Sequence, residues 1–381
     1  MGTQSQIEVP EISPMPFPAP LEAQPTPAPT SKKKLVRRTD HDYSQFARRA
    51  FQGAFLVLNA WLGSIFYLWV RQFEAGGVPS SMPRPAGVEG WLPIAGLMNL
   101  RYLLLSHHVP SVHPAAMFLL IAFLAISFLF RKAFCSWLCP VGTLSEYLWR
   151  VGQKLFGRNF RLPRWLDLSL RSLKYLLLGF FVWAVLSMAS DELAAFMSSP
   201  YGIIADVRML NFFRHVGETA AIVLGILVVA SLFVQNFWCR YLCPYGALLG
   251  LTALASPTRI RRHAESCIDC AKCAKACPSA LPVDKLITIK SAECTGCLEC
   301  VAVCPAKDTL SLTLPKFPGQ APPPPQVPVW AMAAGIAILF FGVVGFAKTS
   351  GYWDSQVPRA IYQQLVPQAD EAQHPMPSES N

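Results

Sequence analysis

The chain has 381 residues, of which 52% are hydrophobic and only 15% are charged. Such an apolar composition excludes an ordinary soluble protein and is typical of membrane proteins. The formal net charge of +10 could indicate nucleic-acid binding, but the basic residues cluster beside apolar segments, as in membrane loops, so we expect no nucleic-acid partner.

The N-terminal segment, residues 1–45, begins with 30 residues that are rich in proline, alanine, glutamine and threonine. Such a segment cannot bury a core, so we predict that it is disordered. The first apolar stretch follows at residues 51–70 and contains no charged residue. As a helix it would be about 30 Å long, which is enough to cross a bilayer.

Five apolar stretches are predicted to span the membrane as helices. They cover residues 51–70, 115–130, 175–190, 220–238 and 329–347. Lysine and arginine are abundant before the first helix, between the second and third, and after the fourth, and are sparse in the alternate loops. The positive-inside rule therefore predicts a multi-pass protein of the bacterial inner membrane, with a cytoplasmic N-terminus and a periplasmic C-terminus. All 12 cysteines would then lie on the cytoplasmic side.

Two cysteine motifs of the form C-x3-C-P follow the second and fourth predicted helices, which indicates an internal repeat. Their cysteines are Cys135, Cys139, Cys239 and Cys243. Residues four apart share one face of a helix, so each pair can bind one atom, and the repeat could bring all four together at the inner membrane face. Four thiolates there would suit a further iron–sulfur cluster, Cu(I) or zinc. The alternative is two reduced thiol pairs that only help to pack the repeat.

Upstream of both repeated helices an arginine and a histidine stand seven residues apart. The pairs are Arg101 with His108, and Arg208 with His215. In a quinol site, histidine would take protons and arginine would orient an oxygen; two histidines could instead bind haem. Interfacial anchoring is the third alternative, because both residue types are common at membrane ends.

Two copies of a longer cysteine pattern lie between the fourth and fifth predicted helices. Residues 267–278 and 294–305 each read C-x2-C-x2-C-x3-C-P, the spacing by which bacterial ferredoxins hold [4Fe–4S] clusters, with the fourth cysteine of each run bound to the other cluster. The predicted ligands are Cys267, Cys270, Cys273 and Cys304 for one cluster, and Cys294, Cys297, Cys300 and Cys277 for the other. Zinc usually binds two C-x2-C pairs, and disulfides are rare in the cytosol, so both alternatives fit less well.

These elements predict a membrane all-α bundle of about five helices with an internal repeat, joined to a cytoplasmic α+β ferredoxin domain of the bacterial two-cluster type. The predicted parts after residue 45 are a four-helix transmembrane domain (46–258), the ferredoxin domain (259–314), a proline-rich linker (315–328), the fifth helix (329–348) and a periplasmic tail (349–381). Apolar residues alternate near Ile287 and from Leu310 to Leu314, which predicts short strands beside the clusters. From about Gln368 the tail is predicted to be disordered.

Paired C-x3-C-P motifs after hydrophobic helices, followed by a double ferredoxin motif, resemble the NapH/NosR-type membrane polyferredoxins. These are iron–sulfur subunits that accompany periplasmic nitrate and nitrous-oxide reductases, and the resemblance covers roughly residues 45–315. It implies electron transfer between the quinone pool or a cytoplasmic donor and a redox partner in the membrane or periplasm. The chain departs from the family in its fifth helix and outward tail, and it lacks the flavin-bearing domain of the nitrous-oxide branch.

The sequence contains no C-x-x-C-H haem motif, no Gly-rich dinucleotide fingerprint and no P-loop. We therefore expect an electron-transfer subunit with two [4Fe–4S] clusters rather than a self-contained enzyme. Whether the C-x3-C-P cysteines hold a third cluster or another thiolate-bound metal stays open. A quinol dehydrogenase with its site near His108 and His215 is one alternative. Another is a redox-sensing or metal-handling assembly or regulatory factor for a respiratory metalloenzyme, because accessory proteins for copper-oxidase assembly share this core.

Overall fold

The computed structural model describes residues 36–39, 41–75, 82–157, 159–160, 162–315 and 324–374. They belong to one compact unit, Leu35–Asn381. Of the predicted disordered segment 1–45, residues 1–35 and 40 lie outside the described residues. The prediction is wrong for the rest, because Arg38 N–H donates to the Pro305 carbonyl oxygen at 2.9 Å and α1 begins at Ser44. The helices are α1 Ser44–Glu74, α2 Pro93–Ser106, α3 Pro114–Phe130, α4 Ala133–Trp137, α5 Pro140–Phe156, α6 Arg164–Ser187, α7 Ser190–Ser198, α8 Pro200–Ile203, α9 Ala205–Arg214, α10 Glu218–Phe233, α11 Pro244–Leu254, α12 Lys272–Ala276, α13 Glu299–Ala302, α14 Val329–Thr349 and α15 Arg359–Leu365. A 3-10 helix (Ala86–Trp91), a π-helical turn (Trp238–Leu242) and the strands β1 Arg259–Arg262 and β2 Leu310–Thr313 complete the described elements.

Three helices, α1, α6 and α14, are long and apolar enough to cross a bilayer. Helices α9 and α10 make a fourth span if they count as one, although they meet at an angle of 80°. Helix α3 coincides with the predicted segment 115–130 but has only 17 residues, somewhat fewer than the roughly 20 of a typical span. The protein therefore has three or four candidate spans among its described residues, and the count of five stays a prediction.

Helix α3 lies at the centre of the bundle. It packs against α2, α11 and α14, and Ala115, Met117 and Ile126 have no exposed surface. A helix that is apolar all round is expected to be buried on every side. Helix α10 is equally apolar but has only Ser231 buried, so its surface is left to contact lipid. The two repeated helices thus differ in environment although their sequences are alike in character.

The two strands of the ferredoxin domain pair in antiparallel register, with Arg259 opposite Thr313 and Arg262 opposite Leu310. The strand predicted at Leu310–Leu314 is confirmed as β2. The strand predicted near Ile287 is reduced to bridging hydrogen bonds, in which Arg262 N–H donates to the Ile287 carbonyl oxygen. Strand β1 was not predicted, because its sequence, Arg-Ile-Arg-Arg, is a basic run and does not alternate apolar and polar residues clearly.

Besides the main core, the protein has a second hydrophobic cluster, in which the C-terminal segment packs against α1. Tyr362 stacks edge-on against Trp69 with ring centroids 5.2 Å apart, and Ala369 is buried. Arg208 donates hydrogen bonds to the carbonyl oxygens of Ala369, at 2.9 Å, and of Ala372. The prediction of disorder from about Gln368 is therefore wrong as far as residue 374, because the Arg208 side chain of α9 holds these carbonyl oxygens by hydrogen bonds.

Candidate functional site

The eight ferredoxin cysteines lie around two separate small cavities. One cavity is lined by Cys267, Cys270, Cys273 and Cys304. The other is lined by Cys277, Cys294, Cys297 and Cys300. Each set of four therefore combines three cysteines of one run with the last cysteine of the other, which is the exchange expected of a two-cluster ferredoxin. All 12 cysteines of the chain are free thiols.

The two cysteine loops have the same backbone. Asp269 and Gly296, which precede the second cysteine of each run, both have a positive φ, and so do Ala271 and Leu298, which follow it. For residues other than glycine this conformation costs free energy and is found where the surroundings require it. Here the positive φ angles let three cysteines of one short loop converge on one cavity. Because both loops have them at the same positions, both loops suit the same kind of ligand.

The two cysteine sets differ in exposure. Cys270, in the first set, is the one exposed cysteine of the chain. The second set lies against the membrane helices: Ser136 donates a hydrogen bond to the Thr295 carbonyl oxygen at 2.7 Å, and the Trp137 indole donates to that of Gly296 at 3.2 Å. Both donors belong to α4, which also carries Cys135. The solvent-accessible end of the ferredoxin domain and its membrane end are therefore distinct.

A buried ion-pair network fastens α1 and α5 to the second cysteine set. The fully buried Arg48 guanidinium lies 2.5 Å from Glu146 and 2.9 Å from Glu299, and Arg150 pairs with the same two carboxylates. Glu299 stands next to Cys300 in the chain. The four charges balance, so this network supplies firm attachment without a net charge.

The two C-x3-C-P motifs break the helix instead of continuing it. Helix α4 ends at Trp137, and Cys139 forms the N-cap of α5, where its sulfur accepts a hydrogen bond from Gly142 N–H at 3.4 Å. Cys243 caps α11 in the same way, with Gly246 N–H as the donor at 3.2 Å. The expectation that each pair shares one helix is therefore wrong. The reason is the proline after each second cysteine, which is favoured at the first position of a new helix.

All four C-x3-C-P cysteines nevertheless line one cavity of about 920 Å³. Cys297 of the second ferredoxin set lines this cavity too, so the ferredoxin domain and the two C-x3-C-P motifs border the same cavity. The cavity continues between α1 and α14, where Trp61 and Phe341 line it. These two side chains are 60% and 59% exposed, so the cavity reaches an apolar part of the surface beside the two helices.

Six ionisable side chains form a connected group beside the C-x3-C-P cysteines, and three of them, Lys132, Arg240 and Glu293, line this cavity. Lys132, Lys174 and Glu293 are buried, and Asp167, Arg171 and Arg240 are partly exposed. Four are cations, which we call the cationic collar: Lys132, Arg171, Lys174 and Arg240. Two are carboxylates. Glu293 lies 2.6 Å from Lys174 and 3.7 Å from Lys132, and Asp167 lies 2.6 Å from Arg171 and 2.7 Å from Arg240. The group therefore carries a formal surplus of two positive charges.

Both partners of the Lys132–Glu293 pair are held charged. Burial disfavours the charge on Lys132, but the carboxylate of Glu293 raises the pKa of this lysine above its usual range. Burial also disfavours the charge on Glu293, but Lys132 and Lys174 lower the pKa of this carboxyl to about 2. The two lysines interact electrostatically with Cys135 and Cys243 as well, so the surplus charge faces the cysteines.

These observations fit an anionic metal–thiolate group at the C-x3-C-P cysteines. An unbalanced buried charge is costly, and the Nε atoms of Arg171 and Arg240 are buried without a hydrogen-bond partner among the described residues. Within the same residues, no three histidine, cysteine, aspartate or glutamate side chains are grouped around the position of a single metal ion. Cubane ligands bind different iron atoms, so this spacing suits an iron–sulfur cluster better than one zinc ion.

The arginines and histidines predicted as a quinol site lie elsewhere. Arg101 donates to the Val185 carbonyl oxygen near the end of α6, and His108 is exposed after α2. Arg208 holds the C-terminal segment, and His215 follows the last residue of α9. None of the four is among the described residues that line the large cavity.

A second buried ionic group, which the sequence did not reveal, lies at the outer end of the cavity. Arg84 lines the cavity and pairs with Glu89 and Asp206, each at 2.6 Å. The His113 ring lies 3.2 Å from Glu89 and 2.9 Å from the Gly202 carbonyl oxygen. Since a carbonyl oxygen only accepts, Nε2 of His113 carries a proton. Arg84 and Glu89 are neighbours in the chain, but His113 and Asp206 come from two other segments, so no local motif could have indicated the whole group.

Models of known protein families match three segments of the chain. One, described as a 4Fe-4S binding domain, matches residues 112–163 and again residues 217–263, which are the two copies of the internal repeat. A second, described as a 4Fe-4S dicluster domain, matches residues 260–312. No solved structure matches the chain. The matches show that the chain carries iron–sulfur domains.

The chain is also similar to several curated proteins. It is 51% identical over 322 residues to "Putative electron transport protein YccM" of Escherichia coli, and the match covers 84% of this chain and 90% of that protein. Protein NirI of Paracoccus denitrificans is 33% identical over 46% of this chain and 26% of its own length. Regulatory protein NosR of Pseudomonas aeruginosa is 36% identical over 42% of this chain and 22% of its own length. The chain therefore belongs to the NapH/NosR-type family of 4Fe-4S membrane proteins.

Proposed function

We propose that the protein relays single electrons between a cytoplasm-facing pair of [4Fe–4S] clusters and a redox partner in the membrane or the periplasm of a bacterial inner membrane. The observation that carries this proposal is the pair of small cavities, each lined by four cysteines, of which one reaches solvent and the other adjoins membrane helices. The electron-transport name of the Escherichia coli relative supports the same role. When bound, the clusters supply one-electron carriers, and the chain supplies their spacing and surroundings.

The first cluster would be held by Cys267, Cys270, Cys273 and Cys304, and the second by Cys277, Cys294, Cys297 and Cys300. The first is the natural point of contact with a soluble donor or acceptor, because Cys270 is exposed. The second is the natural point of contact with the membrane part, because its loop is hydrogen-bonded to α4. The proposed topology keeps five membrane helices, with the ferredoxin domain cytoplasmic and the C-terminus periplasmic.

A third centre is proposed at Cys135, Cys139, Cys239 and Cys243. Three observations support it. The four thiols line one cavity, the cationic collar leaves two positive charges without a counter-charge, and the segments that contain these cysteines match a model for 4Fe-4S binding. The centre would stand between the second ferredoxin cluster and the large cavity.

The large cavity itself suits a lipophilic electron carrier such as a quinone. Its opening between Trp61 and Phe341 faces the region where lipid would lie, and its inner end reaches Cys139 and Cys243. Pockets of several hundred Å³ with mostly apolar walls are typical ligand sites. The alternative quinone site at Arg101, His108, Arg208 and His215 stays a separate proposal, which the same experiment can test.

The test is anaerobic stopped-flow absorption of the purified protein in lipid nanodiscs, mixed with a short-chain quinone after chemical reduction of the clusters. We expect fast cluster oxidation, which Leu58→Trp should slow by narrowing the cavity. His108→Ala should not affect the rate. Quinone oxidation that is slowed by His108→Ala but not by Leu58→Trp would move the site to the histidines. No oxidation by any quinone, with intact clusters, would exclude the quinone link and leave a protein partner.

A second function is kept because of the similarity to a protein named as regulatory, NosR. In this alternative the C-x3-C-P thiols would sense redox state or handle a metal for the assembly of a respiratory metalloenzyme. Copper in the anaerobically purified protein that is lost in the Cys135→Ser/Cys239→Ser variant would favour this function. Iron and sulfide at the same cysteines would exclude it.

A further inference from the structure

We propose that the cationic collar gives the membrane-embedded centre the highest reduction potential of the chain, so that electrons run from the cytoplasmic clusters into the membrane. The collar consists of Lys132, Arg171, Lys174 and Arg240, as defined above. The inference rests on the proposed third centre and assigns the direction of electron flow, which neither the fold nor the motifs indicate.

The collar is unusual because its positive charges outnumber the carboxylates that could neutralise them. Glu293 forms ion pairs with two lysines, and Asp167 forms ion pairs with two arginines. Lys132 and Lys174 are 4% and 0% exposed in their side chains, so water screens them little. Charges in such a site act over longer distances than charges at a surface.

An electron that arrives at the four cysteines adds one negative charge there, and no bond is made or broken. Burial alone opposes this added charge, because it removes the solvation that water would give. The two surplus cations act in the opposite direction and are fixed by ion pairs before the electron arrives. They therefore stabilise the reduced state without any rearrangement, which raises the reduction potential.

The ferredoxin cysteines lack a comparable surplus. Beside the second set, Arg48 and Arg150 are matched by Glu146 and Glu299. Arg240 of the collar also acts on Cys277, but the collar carboxylate Glu293, next to Cys294 in the chain, opposes it. Around the first set Arg262 and Lys272 stand beside Asp284, and the site is open to solvent at Cys270, so water screens these charges. The electrostatic gradient along the chain therefore rises from the exposed cluster toward the membrane, and the soluble partner of the exposed cluster must be an electron donor.

The experiment is an EPR-monitored redox titration of the detergent-purified holoprotein, in which each cluster signal gives its own potential. In the unaltered protein we expect the membrane centre to be reduced first. Lys132→Gln should lower its potential by at least 59 mV, which corresponds to a tenfold change in the one-electron equilibrium. Lys132→Arg should restore the potential, and Lys290→Gln, which removes an exposed lysine of the ferredoxin domain, should leave it unchanged.

Glu293→Gln should shift the reduction potential in the direction opposite to Lys132→Gln. It removes a negative charge and should raise the potential of the membrane centre, which no general loosening of the site would do. Opposite shifts in the two variants would support the inference. The inference would be overturned if the membrane centre is present but has the lowest potential of the clusters. It would also be overturned if neither variant changes the potential of this centre. A protein with only two cluster signals would instead overturn the proposed third centre, so the two failures can be told apart.

Discussion

The two copies of the C-x3-C-P motif offer a matched pair of substitutions, Gly142→Ala and Gly246→Ala. Both glycines follow the capping cysteine by three residues and donate to its sulfur. A Cβ at position 142 would overlap the Cys135 carbonyl oxygen, which belongs to the backbone and cannot rotate away. A Cβ at position 246 would meet its nearest neighbour, the Cys239 carbonyl oxygen, at 3.6 Å, which is ordinary van der Waals contact.

The expected effects have opposite signs. Replacing a helical glycine by alanine favours folding by about 0.5–1 kcal/mol, whereas forcing extra volume into a packed site costs about 1–3 kcal/mol. Gly246→Ala should therefore be neutral or slightly stabilising, and Gly142→Ala should destabilise by up to about 2.5 kcal/mol after the two effects are combined. Because the overlap displaces Cys135, Gly142→Ala should also lose iron from the membrane centre.

Thermal unfolding in detergent and iron content, measured for both variants, provide the assay. The reasoning predicts a lower Tm and less iron for Gly142→Ala only. If both alanine variants behave alike, or if Gly246→Ala is the more damaging, the close approach of the α5 backbone to Cys135 is not a feature of the protein.

Two further predictions concern the buried ionic groups. Arg48→Gln should destabilise the protein by about 3–5 kcal/mol, because it leaves two buried carboxylates, Glu146 and Glu299, with Arg150 as their one cation in this network, whereas the exposed neighbour Arg49→Gln should change the Tm little; equal effects would contradict the network. Burial opposes the charge on His113, but Glu89 raises the pKa of this histidine above its usual range. Protonated His113 should therefore stabilise the folded state fully below about pH 6.5. This stabilisation should be lost as the pH rises through the raised pKa of the histidine. The Tm difference between the protein and His113→Gln should accordingly shrink toward alkaline pH, and a constant or growing difference would refute this assignment.

The grouping of the ferredoxin cysteines into two sets of four could be predicted from sequence because it is encoded in short spacings, and their role as cluster ligands stays a prediction. Two-residue gaps and a following proline specify a loop, and the exchange of Cys277 and Cys304 follows from the duplicated motif. The strand β2 was predictable for a similar reason, since alternation is a local signal. The helix break before Pro140 was also visible in the sequence, because proline is common at the first position of a helix.

The surroundings of the cysteines could not be predicted in this way. Lys132, Lys174 and Glu293 come from three distant segments, and their surplus of positive charge exists only after α6 and the ferredoxin loop pack together. The large cavity likewise forms between α1, α14 and the repeated motifs. Helix α3 was predicted as a helix, but the burial of most of its residues depends on its neighbours, and its apolar sequence alone fits a lipid-exposed span equally well.

The central claim is that this chain holds iron–sulfur clusters in a ferredoxin domain and a further one at Cys135, Cys139, Cys239 and Cys243. The most direct measurement is iron and acid-labile sulfide per chain in anaerobically purified protein, beside the Cys135→Ser/Cys239→Ser variant. Three cubanes predict about twelve irons per chain, falling to about eight in the variant. A count that stays near eight in both proteins would contradict the membrane centre, and protein free of iron and sulfide would contradict the whole account.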